Sequence, residues 1–243
     1  GLFGCVLGGG AHGSAGEACW GWCERVAGGV GVRRGGRGKG AQREGGGTAW
    51  AQMEQEGVAA LSLRELARTL GIRPQSLAHY FPTKSALLDA LFRDGFSELD
   101  RRLRSAGGND PVDALIATVQ AMLSFCAASP ARYHLMLQRT VPGFTPTDAS
   151  HDVALAALGQ LLYRLNAAGV KDPADVDVFR GLVNGLVAEQ IANDPDGRRF
   201  IDRAEHAVRV FLAGVAATSP NPTAKRASTP GRPRTAPRPA HRA

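Results

Sequence analysis

Between residues 48 and 217 apolar side chains recur three and four positions apart, and no stretch sustains the apolar-polar alternation of a half-buried strand. Such a chain can bury its apolar stripes only by packing helix on helix, so the expected fold class is all-α. The segments are delimited by residues with a physical reason to sit at helix ends. Leu63, Leu66, Ala67 and Leu70 make one stripe, opened by Ser62 with Glu65 in capping-box spacing and closed by Gly71. Pro74 suits the first turn of a short helix reaching Tyr80, because its missing N–H would be unpaired there in any case. After Phe81-Pro82, Thr83 caps a longer helix striped by Leu87, Leu88, Leu91, Phe92, Leu99 and Leu103.

Beyond Gly107-Gly108-Asn109 the pattern resumes. Asp110-Pro111 opens a helix that Pro130 ends, and a short piece follows over 131–138. Two prolines and a glycine make 141–147 a loop, and the next helix closes at Gly169. Asp172-Pro173 opens another, ended by Asn193-Asp194-Pro195, and a last stripe runs from Ile201 to Val215. About eight helices result, in two parts spanning 48–105 and 110–217.

Composition sets the two ends apart. Eighteen of the 31 glycines fall in the first 47 residues, so residues 1–47 are expected to be disordered. The opening Gly in place of Met reads as a fragment or a misplaced start. Residues 220–243 hold six prolines and six basic residues and read as an extended, solvated tail. Charge is just as uneven: residues 57–105 carry a net +3, residues 106–219 a net −3, and the tail +6. A basic segment joined to a larger acidic one suggests that the first meets a polyanion and the second does something else.

Two short helices separated by Gly71-Ile72-Arg73 have helix-turn-helix spacing, and the second is short enough to lie in a major groove about 12 Å wide. The residues themselves are Gly57, Leu61-Ser62-Leu63-Arg64-Glu65-Leu66-Ala67, Leu70-Gly71-Ile72, Pro74, Ser76-Leu77, Tyr80-Phe81-Pro82-Thr83-Lys84 and Leu87-Leu88. This run closely resembles the DNA-binding domain of the TetR family of bacterial one-component regulators, over residues 48–105. The resemblance implies a recognition helix from Pro74 to Tyr80, and a homodimer reading two half-sites of a double-stranded DNA operator. The chemistry of each position agrees. Arg73, Gln75, Ser76 and His79 fall on the outer side of the short helix; Gln and Ser pair with base edges, and Arg reaches guanine or phosphate. Tyr80 and Lys84 suit the sugar-phosphate backbone, as does Ser62 at the other helix start. Leu77 and Phe81 should be core.

Three departures stand out. Ala78 replaces the family's usual tyrosine, Arg73 replaces a small capping residue, and only Thr48 to Glu56 remains for a first helix of about 15 residues in the family. A truncated first helix supports an alternative reading: a helical ligand-binding and dimerisation protein with a compromised DNA-binding domain.

The segment from Asp113 to Val215 resembles the C-terminal domain of one large branch of the same family, on Ser129-Pro130-Ala131-Arg132-Tyr133-His134-Leu135-Met136 and Glu189-Gln190-Ile191-Ala192-Asn193-Asp194-Pro195. That implies a pocket for a small-molecule effector, and a dimer interface in which the last two helices pair with their partners in a four-helix bundle. Gly181 and Gly185, one turn apart, either permit that close approach or pack within one subunit. Phe125, Tyr133, His134, Met136 and Phe144 are the candidate pocket residues, although the same residue types serve as plain core.

Other chemistries find no foothold. Cys19-x3-Cys23 with His12 lacks regular spacing and a fourth ligand for zinc, and Gly36-Arg37-Gly38-Lys39-Gly40 lacks the Ser or Thr that a P-loop needs after its lysine. No nucleophile elbow or Ser/His/Asp grouping appears, so neither an enzyme, a metal nor a cofactor is expected. Cys5, Cys19 and Cys23 crowd one end while Cys126 stands alone, which is no disulfide framework and suits a reducing compartment. Without a long apolar run or a secretory signal, a cytoplasmic chain with no membrane partner is expected. The function expected is a ligand-responsive transcriptional regulator, a repressor that binds a palindromic operator as a homodimer.

Overall fold

Short side-chain oxygens start most of the helices. In the computed structural model, which describes residues 39–138 and 140–218, these are α1 (Lys39–Glu56), α2 (Leu63–Thr69), α3 (Pro74–Tyr80), α4 (Lys84–Ser105), α5 (Pro111–Ala127), α6 (Pro130–Tyr133), α7 (Asp148–Ala167), α8 (Pro173–Asn193) and α9 (Ala204–Thr218). A 3₁₀ turn, Val58–Ala60, follows α1, and a π-helical turn, His134–Gln138, continues α6. The fold is all-α, and the described residues contain no strand. Ser62, Thr83, Asp110, Ser129, Thr147 and Asp172 each accept a backbone N–H at the start of α2, α4, α5, α6, α7 and α8. The capping box of α2 is only half made, because the Glu65 carboxylate pairs with Arg68 instead of returning to the helix start.

The first helix corrects the sequence reading. Expected over Thr48 to Glu56 alone, it begins at Lys39 and takes in Gly45-Gly46-Gly47. Glycine in a helix interior costs about 1 kcal/mol against alanine, which is why the pattern gave no helix there. Packing overrides that cost: Ala49 and Met53, one turn apart, are buried in one core with Leu66, Leu77 and Leu87. The last helix starts later than its stripe, at Ala204, with buried Ile201 in the turns before it. The basic tail, and the leader with Cys5, His12, Cys19, Cys23 and Gly36 to Gly38, lie outside the described residues.

Two cores result, and α4 serves both. Leu87, Leu88 and Leu91 join α1, α2 and α3 in the smaller core, while Phe92, Phe96, Leu99 and Leu103 join α5, α7, α8 and α9 in the larger. Ala131 and Leu135, which follow α5 in the chain, belong to the smaller core, so the two parts interlock. Polar ties reinforce the seam. The Glu54 carboxylate of α1 accepts from Ser129 Oγ and from the Ala131 N–H at 3.4 Å. The Arg132 guanidinium lies 5.5 Å from the Trp50 ring centre and 5.6 Å from that of Phe125. Asp89 of α4 accepts from the Thr147 N–H at 2.7 Å and from Ser150 Oγ at 2.8 Å, fixing the start of α7.

The far side is held differently. Fully buried Gln190 accepts from the Phe200 N–H at 2.9 Å and the Ile201 N–H at 3.2 Å, and donates to the Gly197 carbonyl at 3.2 Å, which knots the chain between α8 and α9. Phe179 and Phe211 pack with ring centres 5.0 Å apart across the same two helices.

Candidate nucleic-acid interface

Seven residues make α3, and its conformation is set from both ends. Upstream, α2 stops in a Schellman turn: the Ile72 N–H reaches the Ala67 carbonyl at 3.0 Å and the Gly71 N–H the Arg68 carbonyl at 3.1 Å. Gly71 carries a φ of 65°, a left-handed conformation that a side chain would strain. Pro74 then occupies the first turn, with Arg73 extended ahead of it and making no side-chain cap. Downstream, the Phe81 N–H closes on the Leu77 carbonyl at 2.8 Å.

Leu77 and Phe81 anchor this helix at 2% and 4% exposure, and every other residue from Arg73 to Tyr80 is exposed. Arg73, Gln75, Ser76, His79 and Tyr80 therefore stand together on one open surface, free of any salt bridge among the described residues. The His79 and Tyr80 rings meet edge to face, with centres 5.5 Å apart. Ile72, 37% exposed, adds an apolar edge. Ser62 is half-buried, and its Oγ accepts the Glu65 N–H at 3.5 Å, leaving its own proton available to an outside acceptor. Nearby, hydrogen bonding from Arg68 holds the exposed Glu65 carboxyl below its usual range. It thus stays ionised beside an otherwise basic surface.

Lys84 opens α4 and is engaged in a way no local pattern announces. Its Nζ donates to the Ala59 carbonyl at 2.8 Å, 25 residues away in sequence. One of three ammonium protons is used, so two remain for a phosphate oxygen. The bond also fixes where the charge sits.

The five candidate effector residues are not brought together. Phe125, Tyr133 and Met136 are buried in the larger core. Phe125 lies beneath the guanidinium groups of Arg102 and Arg132, and the Met136 sulfur lies where a Cβ on Gly95 would come within 2.6 Å. Burial pushes the Tyr133 hydroxyl above its usual pKa, and its oxygen accepts from Gln138. His134 is exposed on a groove of about 380 Å³ between α1 and α6. Phe144 is half-buried on a second groove, of about 400 Å³, beside the start of α4. Burial also drives the Cys126 thiol up to about 12, so it remains protonated. Among the described residues no three His, Cys, Asp or Glu side chains converge as a metal site would require, and no single helix is long and apolar enough to cross a membrane.

Sequence reasoning missed the seam residues Glu54, Asp89 and Arg132, whose partners lie far away along the chain. It also left Gly181 and Gly185 between two roles. Both are exposed, and among the described residues a Cβ added to either would meet nothing within 4 Å.

Comparison with known proteins places this geometry. Residues 47–91 match the model of a family described as bacterial regulatory proteins, tetR family. An HTH-type transcriptional regulator of Mycobacterium bovis is 32% identical over 124 residues, covering 49% of this chain and 53% of the relative. The HTH-type transcriptional repressor KstR of Rhodococcus jostii is 27% identical over 116 residues, covering 48% and 53%. The chain thus spans about half the length of the curated relatives it matches. A solved tetR-family transcriptional regulator from Streptomyces coelicolor shares the fold, with a TM-score of 0.54 at 23% identity over 77% of this chain and 84% of that one. Residues 47–91 thus resemble the helix-turn-helix of the tetR family, and they lead into a helical second part whose fold is that of the solved regulator.

Proposed function

We propose that this protein is a cytoplasmic, ligand-responsive DNA-binding transcriptional regulator, a repressor that reads a palindromic operator as a homodimer. The observation that carries this reading is the outward face of α3. A helix pinned by Leu77 and Phe81 presents Arg73, Gln75, Ser76 and His79 to solvent, a set able to pair with base edges in a major groove. Tyr80, Lys84 and Ser62 flank it at positions suited to phosphates. The relative named as a repressor supports the sign of regulation.

A dimer is favoured by α8 and α9. Val178 and Val210 are 61% and 58% exposed, and the open glycines 181 and 185 continue that face. Two such pairs can close into a four-helix bundle, and an operator with half-sites one DNA turn apart would require the two copies of α3 to stand about 34 Å apart. An effector contact through Phe125, Tyr133, His134, Met136 or Phe144 belongs to the same reading, and is best supported at His134 and Phe144, which line open grooves.

The test is a gel-shift titration against the DNA flanking the protein's own gene, repeated over a range of salt. Saturable binding that survives excess nonspecific DNA is the expected result. Binding indifferent to sequence would refute the reading.

A further inference from the structure

We propose that the groove between the 3₁₀ turn after α1, the start of α4 and the loop before α7 is a binding site for a small amphipathic carboxylate, and that this ligand competes with DNA for Lys84. The walls are apolar: Val58, Leu88, Val141 and Phe144 line a space of about 400 Å³, within the size range of small-molecule sites. Lys84 lies on the same lining and supplies a positive charge whose position is fixed by its bond to the Ala59 carbonyl. No carboxylate among the described residues pairs with this ammonium, and two of its protons remain to be satisfied. An apolar slot with one fixed cation at its edge selects a ligand with an apolar body and a single anionic head. A neutral alcohol would leave the charge unanswered, and an amine would be repelled.

The groove adjoins the second one, which shares Val58, Ala59 and Thr140 and is floored by Met53 and Ala131, so a chain of several carbons has room to extend along the seam. Ligand binding stands on the groove alone. Its effect on DNA rests on the regulator reading above, in which Lys84 holds a phosphate oxygen. Carboxylate and phosphate would share a single positive charge, and two anions held at one ammonium repel each other, so each weakens the other's binding.

Octanoate is a suitable probe, titrated into the full-length protein by calorimetry, with octan-1-ol and octylamine as controls. Octanoate should bind and both controls should bind at least about tenfold more weakly, the factor a lost charge-assisted hydrogen bond implies. Lys84→Met, which keeps the apolar stem, should lose octanoate affinity by a similar factor, whereas Lys84→Arg should keep it. Val141→Asp, which sets a negative charge on the half-buried wall, should also abolish binding. Circular dichroism of each variant confirms the fold. No octanoate binding by the wild-type protein, equal binding of octan-1-ol, or unchanged affinity in folded Lys84→Met would each overturn the site. If octanoate binds through Lys84 while no specific DNA complex forms, the site stands and the regulator reading falls. If both ligands bind but do not displace one another, the competition is refuted.

Discussion

The helix α3 and the pair α8–α9 are both open to solvent, yet they are built from opposite chemistry. Along α3 the outward Gln75, Ser76, His79 and Tyr80 can donate or accept hydrogen bonds, and Leu77 with Phe81 at its end suffices as an anchor. Along α8 and α9 the outward line runs through Val178, Gly181, Gly185, Val210 and Gly214, over a bed that includes Phe179, Val183, Val187 and Val208. A polar face can remain wet until a partner replaces its water, bond for bond. An apolar face of small residues gains only by being covered, and the absence of bulk lets two backbones approach. The first face therefore suits a reversible partner and the second a permanent one. Support for the two faces differs accordingly, light under α3 and heavy under α8 and α9.

Substitutions can break this contrast, and the largest effect should come from the support beneath the apolar face. Phe179→Ala removes a fully buried ring that packs on Phe211, and should cost about 3–5 kcal/mol in urea unfolding. Second comes the face itself: Val178→Asp should leave the subunit folded by circular dichroism but weaken self-association by about 2 kcal/mol, read by analytical ultracentrifugation. Unchanged self-association would remove Val178 from the proposed interface. Third is His79→Ala, expected to weaken specific DNA binding by about 1–3 kcal/mol while leaving nonspecific binding and the dimer intact. Equal operator affinity would remove His79 from base reading. Fourth, Lys84→Ala should lower affinity for all sequences alike and flatten the salt slope by about 1. The smallest effect at neutral pH belongs to Cys126. Its folded pKa of about 12 lies above its usual value, so the native state disfavours the thiolate and stability should decline only as pH rises past about 9. At pH 8, wild type and Cys126→Ser should show the same number of reactive thiols when native and differ by one in urea.

Much of the fold was legible because helix ends announce themselves locally. Ser62, Thr83, Asp110 and Asp172 cap the helices that their neighbours led one to expect, and Gly71 and Pro74 frame the helix-turn-helix. The first half of α1 was hidden because its glycines speak against a helix, while the packing that holds α1 comes from residues outside it. The exposed set on α3 was readable for a related reason: a seven-residue helix with one buried leucine has few ways to face. The effector candidates were not readable. Phe125 and Met136 are the residue types a pocket would use and also those a core uses, and nothing in their spacing chooses between the two. Nor could spacing reveal that Lys84 would seek the Ala59 carbonyl, or that Asp89 would hold the start of a helix 58 residues away.

The shared helix α4 has a mechanical consequence. Its 22 residues form a rod about 33 Å long, with Leu103 near one end in the larger core and Lys84 at the other beside α3. Pivoting such a rod by roughly 3° about its distal end would swing Lys84 through about 1.7 Å. That is enough to lengthen a phosphate hydrogen bond beyond use, since those bonds hold only near 2.7–3.2 Å. With Lys84 on a phosphate as proposed, a lever of this length would turn repacking too slight to disturb the larger core into loss of that contact at the opposite end.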